Sequence, residues 1–214
     1  MLRKTLRSIL PPIVVQSVRQ VLSWKDNLNG RLFDGDDLEF KAILRNCQTY
    51  MEYGCGASTL WVNQNSDCRI YSTDTSKEWI ERVKGQCAKP ELVSLHHANL
   101  GKVGAWGRPE TYDFADSFPD YTDCYWRQGV QPDVVLIDGR FRVCCFLTSL
   151  LNASEGTRLI FDDYRHRQNY HIVESYLKPE KLCGRQAIFI VPAKERIDSK
   201  AVSSAIERFR FVMD

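Results

Sequence analysis

Blocks of apolar residues recur along the chain at lengths expected of buried strands, separated by blocks with helical spacing. Strands are predicted at residues 49–53, 68–74, 92–98, 133–138, 158–161 and 187–191, with 181–184 as a partner for the last. Between them, apolar residues lie three and four positions apart, which marks one face of a helix. Strands and helices that alternate in this way predict an α/β fold, a doubly wound sheet with helices on both faces.

Residues 1–25 differ from the rest of the chain in pattern and in charge. Their apolar positions follow helical spacing on either side of Pro11-Pro12, and they carry five basic residues and no acid. Such a segment suits a basic amphipathic helix on a membrane surface, or a helix packed on the domain or a partner. No apolar run approaches the ~20 residues of a membrane span. We divide the chain into an arm and linker at 1–35 and a domain at 36–214.

Residues 99–131 interrupt the alternation of strands and helices. Glycine residues come first, and aromatic residues then mix with acidic ones. Long insertions in compact domains often act as lids or binding loops, and aromatic rings beside carboxylates suit a sugar or another polyol. The alternative is an acidic surface loop without a ligand.

Composition adds three limits to this picture. The 214 residues, 43% hydrophobic and 26% charged, are typical of one globular domain. The net charge of +2 comes from the basic arm, since residues 26–214 sum to −3, and a nucleic-acid-binding body is therefore not expected. The eight cysteines lack the spacing of a zinc site and favour reduced thiols in a cytoplasmic protein.

Polar residues stand at the ends of four predicted strands, where a doubly wound sheet forms its ligand crevice. Two glycines at the first strand end allow a tight turn and a close approach of the backbone to a ligand. Asp74 follows Glu52 by 22 residues, near the ~20-residue offset at which an acid reaches a ribose. These features predict a nucleoside site. The strand-end residues are Glu52, Gly54, Gly56, Asp74, Asp138, Asp162 and Asp163.

The segment Glu52-Tyr53-Gly54-Cys55-Gly56-Ala57-Ser58 resembles motif I of the class I S-adenosylmethionine-dependent methyltransferases. The resemblance covers residues 36–192 and implies a mostly parallel, seven-stranded Rossmann-like sheet whose last strand is antiparallel. It also implies S-adenosylmethionine as the cofactor, with its methionine part at the glycine turn and its ribose at Asp74. Ser58 stands where many members have a third glycine. The implied cofactor-binding residues are Glu52, Gly54, Cys55, Gly56, Ser58, Asp74, Trp106 and Asp138.

Other segments are similar to a bacterial methyltransferase-like subgroup of unsettled substrate. They are Trp106-Gly107-x-Pro109, residues 138–142, and Asp162-Asp163-Tyr164 with Arg167 and Tyr170. The basic N-terminus with its Pro-Pro pair resembles those of methyltransferases associated with surface-polysaccharide synthesis. These similarities imply O-methylation of a small polar or saccharide-like acceptor. The alternatives are a non-catalytic nucleoside-binding protein of the same fold and an NAD-dependent oxidoreductase, which the lack of a full G-x-G-x-x-G disfavours.

Methyl transfer to a hydroxyl group requires a base. The candidates are Asp138, Asp162, His97 and Tyr164. His96 is adjacent to His97 and points to the opposite face of a strand, so at most one of the two histidines reaches the crevice.

Charged residues near the last strand ends offer two further sites. A guanidinium group binds carboxylate or phosphate through two hydrogen bonds, although it can also pair with a neighbouring acid. The predicted substrate-binding residues are Arg140, Arg142 and Arg167.

Asp138, Asp162 and Asp163 could hold Mg²⁺ or another divalent cation, an arrangement similar to that of catechol-type O-methyltransferases. Acids at strand ends can instead cap helices or hold loops.

Overall fold

A computed structural model describes residues 32–33 and 37–214 of the chain. The predicted arm and linker at 1–35 fall almost wholly outside the described residues, so their role stays a prediction. Among the helices of the described residues, none has the length and apolar character that a membrane crossing requires.

Within residues 37–214, seven strands form one sheet. They are β1 Thr49–Tyr53, β2 Arg69–Asp74, β3 Val93–His97, β4 Val134–Ile137, β5 Arg158–Phe161, β6 Lys181–Cys183 and β7 Gln186–Ile190. Their order is β3-β2-β1-β4-β5-β7-β6; β1 to β5 run parallel, and β7 lies antiparallel to both β5 and β6. This order confirms the predicted doubly wound, mostly parallel sheet and its antiparallel last strand.

Helices cover both faces of the sheet, because alternate residues of a strand point to opposite sides. On β1, Met51 and Tyr53 join one hydrophobic cluster, whereas Tyr50 joins another. The helices are α1 Leu38–Leu44, α2 Ala57–Asn65, α3 Lys77–Lys84, α4 Phe118–Arg127, α5 Arg142–Asn152 and α6 Ser199–Phe209. Helices α4, α5 and α6 contribute to the first cluster, and α1 and α2 to the second. Shorter 3-10 helices lie at Pro90–Leu92, Ala105–Gly107, Ala115–Ser117, Gln168–Ser175 and Lys194–Arg196.

Helix α4 lies inside the segment that was expected to form a single insertion loop at 99–131. It is the crossover helix between β3 and β4, and it buries Phe118, Tyr121 and Tyr125. The Tyr125 hydroxyl donates to the Ser94 carbonyl at 2.7 Å, which fastens α4 to β3. These aromatic residues therefore belong to the core, and the irregular loop is confined to residues 99–117.

Candidate active site

The turn after β1 is anchored to the sheet by the buried carboxylate of Glu52. Its Oε2 accepts hydrogen bonds from the Tyr50 hydroxyl at 2.8 Å and the Ser58 hydroxyl at 2.7 Å. Its Oε1 accepts one from the Thr59 hydroxyl. Burial raises the pKa of Glu52, while the hydroxyl donors favour the charged form. Glu52 and Ser58 thus fasten the start of α2 instead of facing a ligand, which corrects the direct cofactor contact predicted for them.

Two glycines bring the loops after β1 and β4 into backbone contact. Gly54 has φ +91°, and a Cβ atom there would lie 3.0 Å from the Cα of Gly139. At Gly139, an added Cβ atom would lie 2.8 Å from the Tyr53 carbonyl carbon and would overlap the Tyr121 hydroxyl. The side of Gly56 is open, with no atom within 4 Å of an added Cβ atom. Close packing therefore fixes the crevice floor at Gly54 and leaves space beside Gly56.

Asp74 ends β2 beside this turn with a half-buried carboxylate. Its Oδ2 accepts the Cys55 N–H at 3.1 Å, and its Oδ1 accepts the Ser76 N–H at 2.9 Å. Burial raises the pKa of Asp74, and the backbone N–H donors act in the opposite direction. Cys55 is buried, and its carbonyl accepts the Trp79 indole N–H at 2.6 Å. The Cys55 backbone therefore positions Asp74, and these contacts give no support to the cofactor contact that was predicted for Cys55.

The turn at Trp106 lies against the same strand end. The Thr75 hydroxyl donates to the Gly107 carbonyl at 2.7 Å, and the Trp106 side chain is exposed. Trp106 has φ 59°, and the other non-glycine residues with positive φ in the described part of the chain are Phe141 and Asp163. Phe141 lies after β4 and Asp163 after β5, so all three stand at the carboxyl edge of the sheet. Strained backbone gathered at one edge points to a functional site there.

Buried Arg142 ties together the loops after β4 and β5. Its guanidinium donates to Asp138 Oδ1 at 3.1 Å, to the Asp162 carbonyl at 2.8 Å and to Asp163 Oδ2 at 3.3 Å. Arg167 donates to the same Asp163 oxygen at 2.8 Å. Two of the three arginines predicted to clamp a substrate are therefore used in internal ion pairs.

Asp162 is sealed beneath this network and has no exposed surface. The Arg185 guanidinium contacts both of its oxygens, with Nε 3.0 Å from Oδ1. Gln186 Nε2 donates to Oδ1 at 2.9 Å. A carboxylate enclosed and paired in this way stabilises the fold, and the base role predicted for Asp162 does not agree with its position.

The predicted divalent-cation site gains no support from these contacts. One oxygen from each of Asp138, Asp162 and Asp163 lies within 4.8 Å of the others. Guanidinium groups already balance these carboxylates, and a cation would have to displace Arg142 and Arg185. The cluster is an arginine-paired network that joins two loops.

No protein-family profile matches the sequence, and no curated protein matches it either. Among solved structures, a methyltransferase-like protein of Silicibacter pomeroyi is 29% identical with a TM-score of 0.72, over 81% of this chain and 94% of that chain. The chain belongs to the class I superfamily of S-adenosylmethionine-dependent methyltransferases.

More distant structures share the methyltransferase fold alone. A cofactor-bound protein from MTB is 13% identical with a TM-score of 0.51, over 90% of this chain and 96% of that chain. An O-methyltransferase from Bacillus cereus, solved in complex with SAH, is 14% identical with a TM-score of 0.50, over 88% of this chain and 96% of that chain.

Two of the bases predicted for this class I methyltransferase are held by neighbouring groups. Tyr164 is buried, and its hydroxyl donates to Glu174 at 2.9 Å. Burial and the Glu174 carboxylate raise the pKa of Tyr164, and its phenol therefore stays protonated. His97 Nε2 lies 3.2 Å from the Thr75 carbonyl. A carbonyl can only accept, so this nitrogen carries the proton.

Asp138 is a predicted base whose side chain is partly exposed at the carboxyl edge of the sheet. Its side chain is 31% exposed, and Arg142 holds one of its oxygens. Withdrawal from solvent and the nearby Asp162 carboxylate raise the pKa of Asp138 well above the usual value. His96, the residue before His97, contacts helix α4 instead, with its Nε2 2.7 Å from Asp120 Oδ2.

Three residues of the methyltransferase site are absent from the sequence-based predictions: Thr59, Arg185 and Gln186. Gln186 could have been predicted from the sequence, because a polar residue at the start of an apolar strand is buried and needs a hydrogen-bond partner. The sequence gives no such indication for Arg185 or Thr59. Arg185 lies in a turn and Thr59 at the start of a helix, and polar residues are common at both kinds of position.

Proposed function

We propose that this methyltransferase transfers the methyl group of S-adenosylmethionine to a hydroxyl group of a small polar or saccharide-like acceptor, with Asp138 as the general base. The observation that carries the proposal is the accessible Asp138 carboxylate next to Gly139, whose backbone touches Gly54 of the glycine turn. A base and a cofactor turn that meet at one crevice are what methyl transfer to oxygen requires.

The residues that would hold S-adenosylmethionine are Gly54, Gly56, Asp74 and Trp106. The open side of Gly56 leaves room at the start of α2, where unpaired N–H groups favour a carboxylate. Asp74 gives one lone pair on each oxygen to a backbone N–H group and keeps acceptor capacity for ribose hydroxyls. When bound, the cofactor supplies an electrophilic methyl group on a sulfonium centre.

Asp138 receives the proton that the acceptor hydroxyl loses as the new oxygen–methyl bond forms. Arg142 fixes the direction of the carboxylate through Oδ1, and the acceptor hydroxyl would approach the exposed part of the side chain. The raised pKa makes Asp138 a stronger base than an ordinary aspartate. The glycine turn and the Asp138 loop are held in contact, so donor and acceptor are aligned before the reaction.

Residues 99–117 support a sugar-like acceptor. Tyr112 and Phe114 are exposed, and Asp113 lies between them in the sequence. The Tyr112 hydroxyl donates to the Phe211 carbonyl at 3.2 Å, which ties the loop to the C-terminal segment. Exposed aromatic rings beside carboxylates offer an apolar face and hydroxyl acceptors together, which suits a ring that bears hydroxyl groups.

The cofactor assignment is tested by calorimetry with S-adenosylhomocysteine and with NAD. We expect S-adenosylhomocysteine to bind, and Asp74→Ala to weaken it at least ~10-fold, because charge-assisted hydrogen bonds to the ribose are lost. Asp67→Ala is the matched control, since Asp67 is an exposed acid just before β2, at the opposite edge of the sheet. Binding of NAD without S-adenosylhomocysteine would overturn the assignment.

Methyl transfer itself is tested by measuring consumption of the methyl donor over a panel of saccharides and small hydroxylated metabolites. Turnover with a hydroxylated acceptor, and its loss in Asp138→Asn, would support the proposal. Cofactor binding without turnover on any member of the panel would favour the non-catalytic alternative.

A further inference from the structure

We infer that the acceptor carries a carboxylate or a phosphate group, which the Arg140 guanidinium binds. That the bound anion belongs to the methyl acceptor rests on the proposed function. The existence of an anion site rests only on the contacts of Arg140. The two can therefore fail separately.

Arg140 stands at the crevice because it follows Gly139, whose backbone touches Gly54. Its N–H donates to the Tyr121 hydroxyl at 3.1 Å, and its carbonyl accepts the Cys145 thiol at 3.3 Å. The main chain at Arg140 is fixed from both sides. Its side chain therefore starts from a rigid point at the crevice floor.

Arg140 differs from the other arginines of the crevice in its charge pairing. The paired arginines are Arg142, Arg167 and Arg185, with Asp138, Asp162 and Asp163 as their partners. No ion pair or side-chain hydrogen bond joins Arg140 to any residue that the structure describes. Asp214 acts on Arg140 electrostatically; its Oδ1 accepts the Arg142 backbone N–H at 2.9 Å, and its Oδ2 is buried with no hydrogen-bond partner among the described residues. The three carboxylates are therefore balanced without Arg140.

The surroundings of the Arg140 guanidinium disfavour its charged form. Its Nε is buried without a hydrogen-bond partner among the described residues. Burial and the nearby Arg142 charge lower the pKa of Arg140. An oxyanion at the terminal nitrogens would form charge-assisted hydrogen bonds and balance this charge. A neutral hydroxyl group would not form charge-assisted hydrogen bonds with the guanidinium.

The anion site is tested without cofactor or acceptor, using phosphate and acetate as probes against chloride at equal ionic strength. We expect both probes to shift the Arg140 Nε resonance in proton–nitrogen spectra until saturation, with that resonance assigned by its loss in Arg140→Lys. Comparison of the two affinities shows whether the site prefers phosphate or carboxylate.

Calorimetry on variants then locates the binding. Arg140→Gln should weaken phosphate or acetate at least ~10-fold, and Arg140→Lys should weaken it less, because lysine keeps the charge but loses the planar fork. Arg69→Gln is the matched control, since Arg69 is exposed at the start of β2, at the opposite edge of the sheet. Thermal unfolding checks that each variant is folded.

Three results would overturn the anion site. They are probe binding no tighter than chloride, equal affinity in wild type and Arg140→Gln, and an Arg140 Nε resonance that stays fixed while a probe binds. A functional anion site in a chain that fails to transfer methyl groups would instead count against the proposed function alone.

Discussion

Residues of the same type at neighbouring strand ends have different surroundings and therefore different roles. Asp138 and Asp162 each follow an apolar strand, yet one carboxylate keeps an exposed edge and the other is enclosed by Arg185 and Gln186. Exposure permits contact with a substrate, whereas enclosure with full pairing permits only a structural role.

The first expected outcome concerns the pH dependence of turnover. A general base acts in its ionised form, and the pKa of Asp138 is raised. Wild-type turnover should therefore rise with pH through a midpoint above the ~3.9 of an ordinary aspartate and then level off. Asp138→Asn should lower turnover ~10²–10⁴-fold and remove this rise, as measured by initial rates across the acid-to-neutral range.

Asp67→Asn is the control for this measurement, because Asp67 is an exposed acid just before β2, at the opposite edge of the sheet. It should leave the pH profile unchanged. An Asp138→Asn enzyme with wild-type turnover and profile would show that another group accepts the proton.

The enclosed ion pair predicts a change in stability. Among the described residues, Arg185→Ala leaves the buried Asp162 carboxylate with one side-chain hydrogen-bond donor, Gln186, and should lower the free energy of unfolding by about 3–5 kcal/mol in urea titrations. Arg167→Ala removes an arginine that is 46% exposed from Asp163 and should cost only about 0–1 kcal/mol. Equal losses in the two variants would contradict the structural role of the buried pair.

At the scale of elements, the sheet was predicted from the sequence, while α4 and α6 were not. The central strands β4 and β5 are apolar runs bounded by polar residues, which is the pattern of parallel strands covered on both faces. Helix α4 mixes acids with aromatic residues, although Phe118, Tyr121 and Tyr125 follow helical spacing and Pro119 suits a first turn. Helix α6 carries a similar signal in Asp198, whose carboxylate accepts the Ala201 N–H at 2.9 Å.

The core role of α4 gives an element-scale prediction. Phe118→Ala should lower the free energy of unfolding by about 3–5 kcal/mol, because Phe118 is fully buried against Phe141. Phe114→Ala, in the loop before the helix, should cost less, since the Phe114 ring is 43% exposed. Chemical denaturation of the two variants measures the difference. A Phe118 variant as stable as wild type would be inconsistent with a core helix at this position.

The sequence could not predict the direction in which the side chains of the site point. The four strand ends that form the crevice follow from the alternation of elements. Whether Glu52 faces inward, or Arg142 pairs within the protein, depends on atoms contributed by distant segments such as α2 and the loop after β5. Residue type and spacing do not encode these partners, and the site residues are therefore sorted only by the three-dimensional contacts.

At the scale of the whole molecule, charge is divided between the basic arm and the rest of the chain. Residues 1–25 carry five basic residues and no acid, against a sum of −3 for residues 26–214. We propose that the arm contacts anionic membrane surfaces, since each basic residue near such a surface contributes about 1 kcal/mol.

Vesicle flotation tests this proposal with the full chain and a chain that lacks residues 1–25. The full chain should float with vesicles that contain anionic lipid, should not float with neutral vesicles, and should be released at high salt. The shortened chain should stay at the bottom of the gradient. Equal behaviour of the two chains would rule out an arm-dependent contact.

The antiparallel direction of β7 makes the length of the β6–β7 hairpin a determinant of the chemistry at the crevice. Because β7 starts where β5 ends, Arg185 in the hairpin turn and Gln186 at the strand start both reach Asp162. One inserted or deleted residue in this turn would be absorbed by the turn or by the edge strand β6, because β5 fixes the register of β7, and it would move Arg185 relative to Asp162. Homologous chains that differ in hairpin length should therefore also differ in the residue that neutralises the acid after β5, even where every ligand-binding residue is identical.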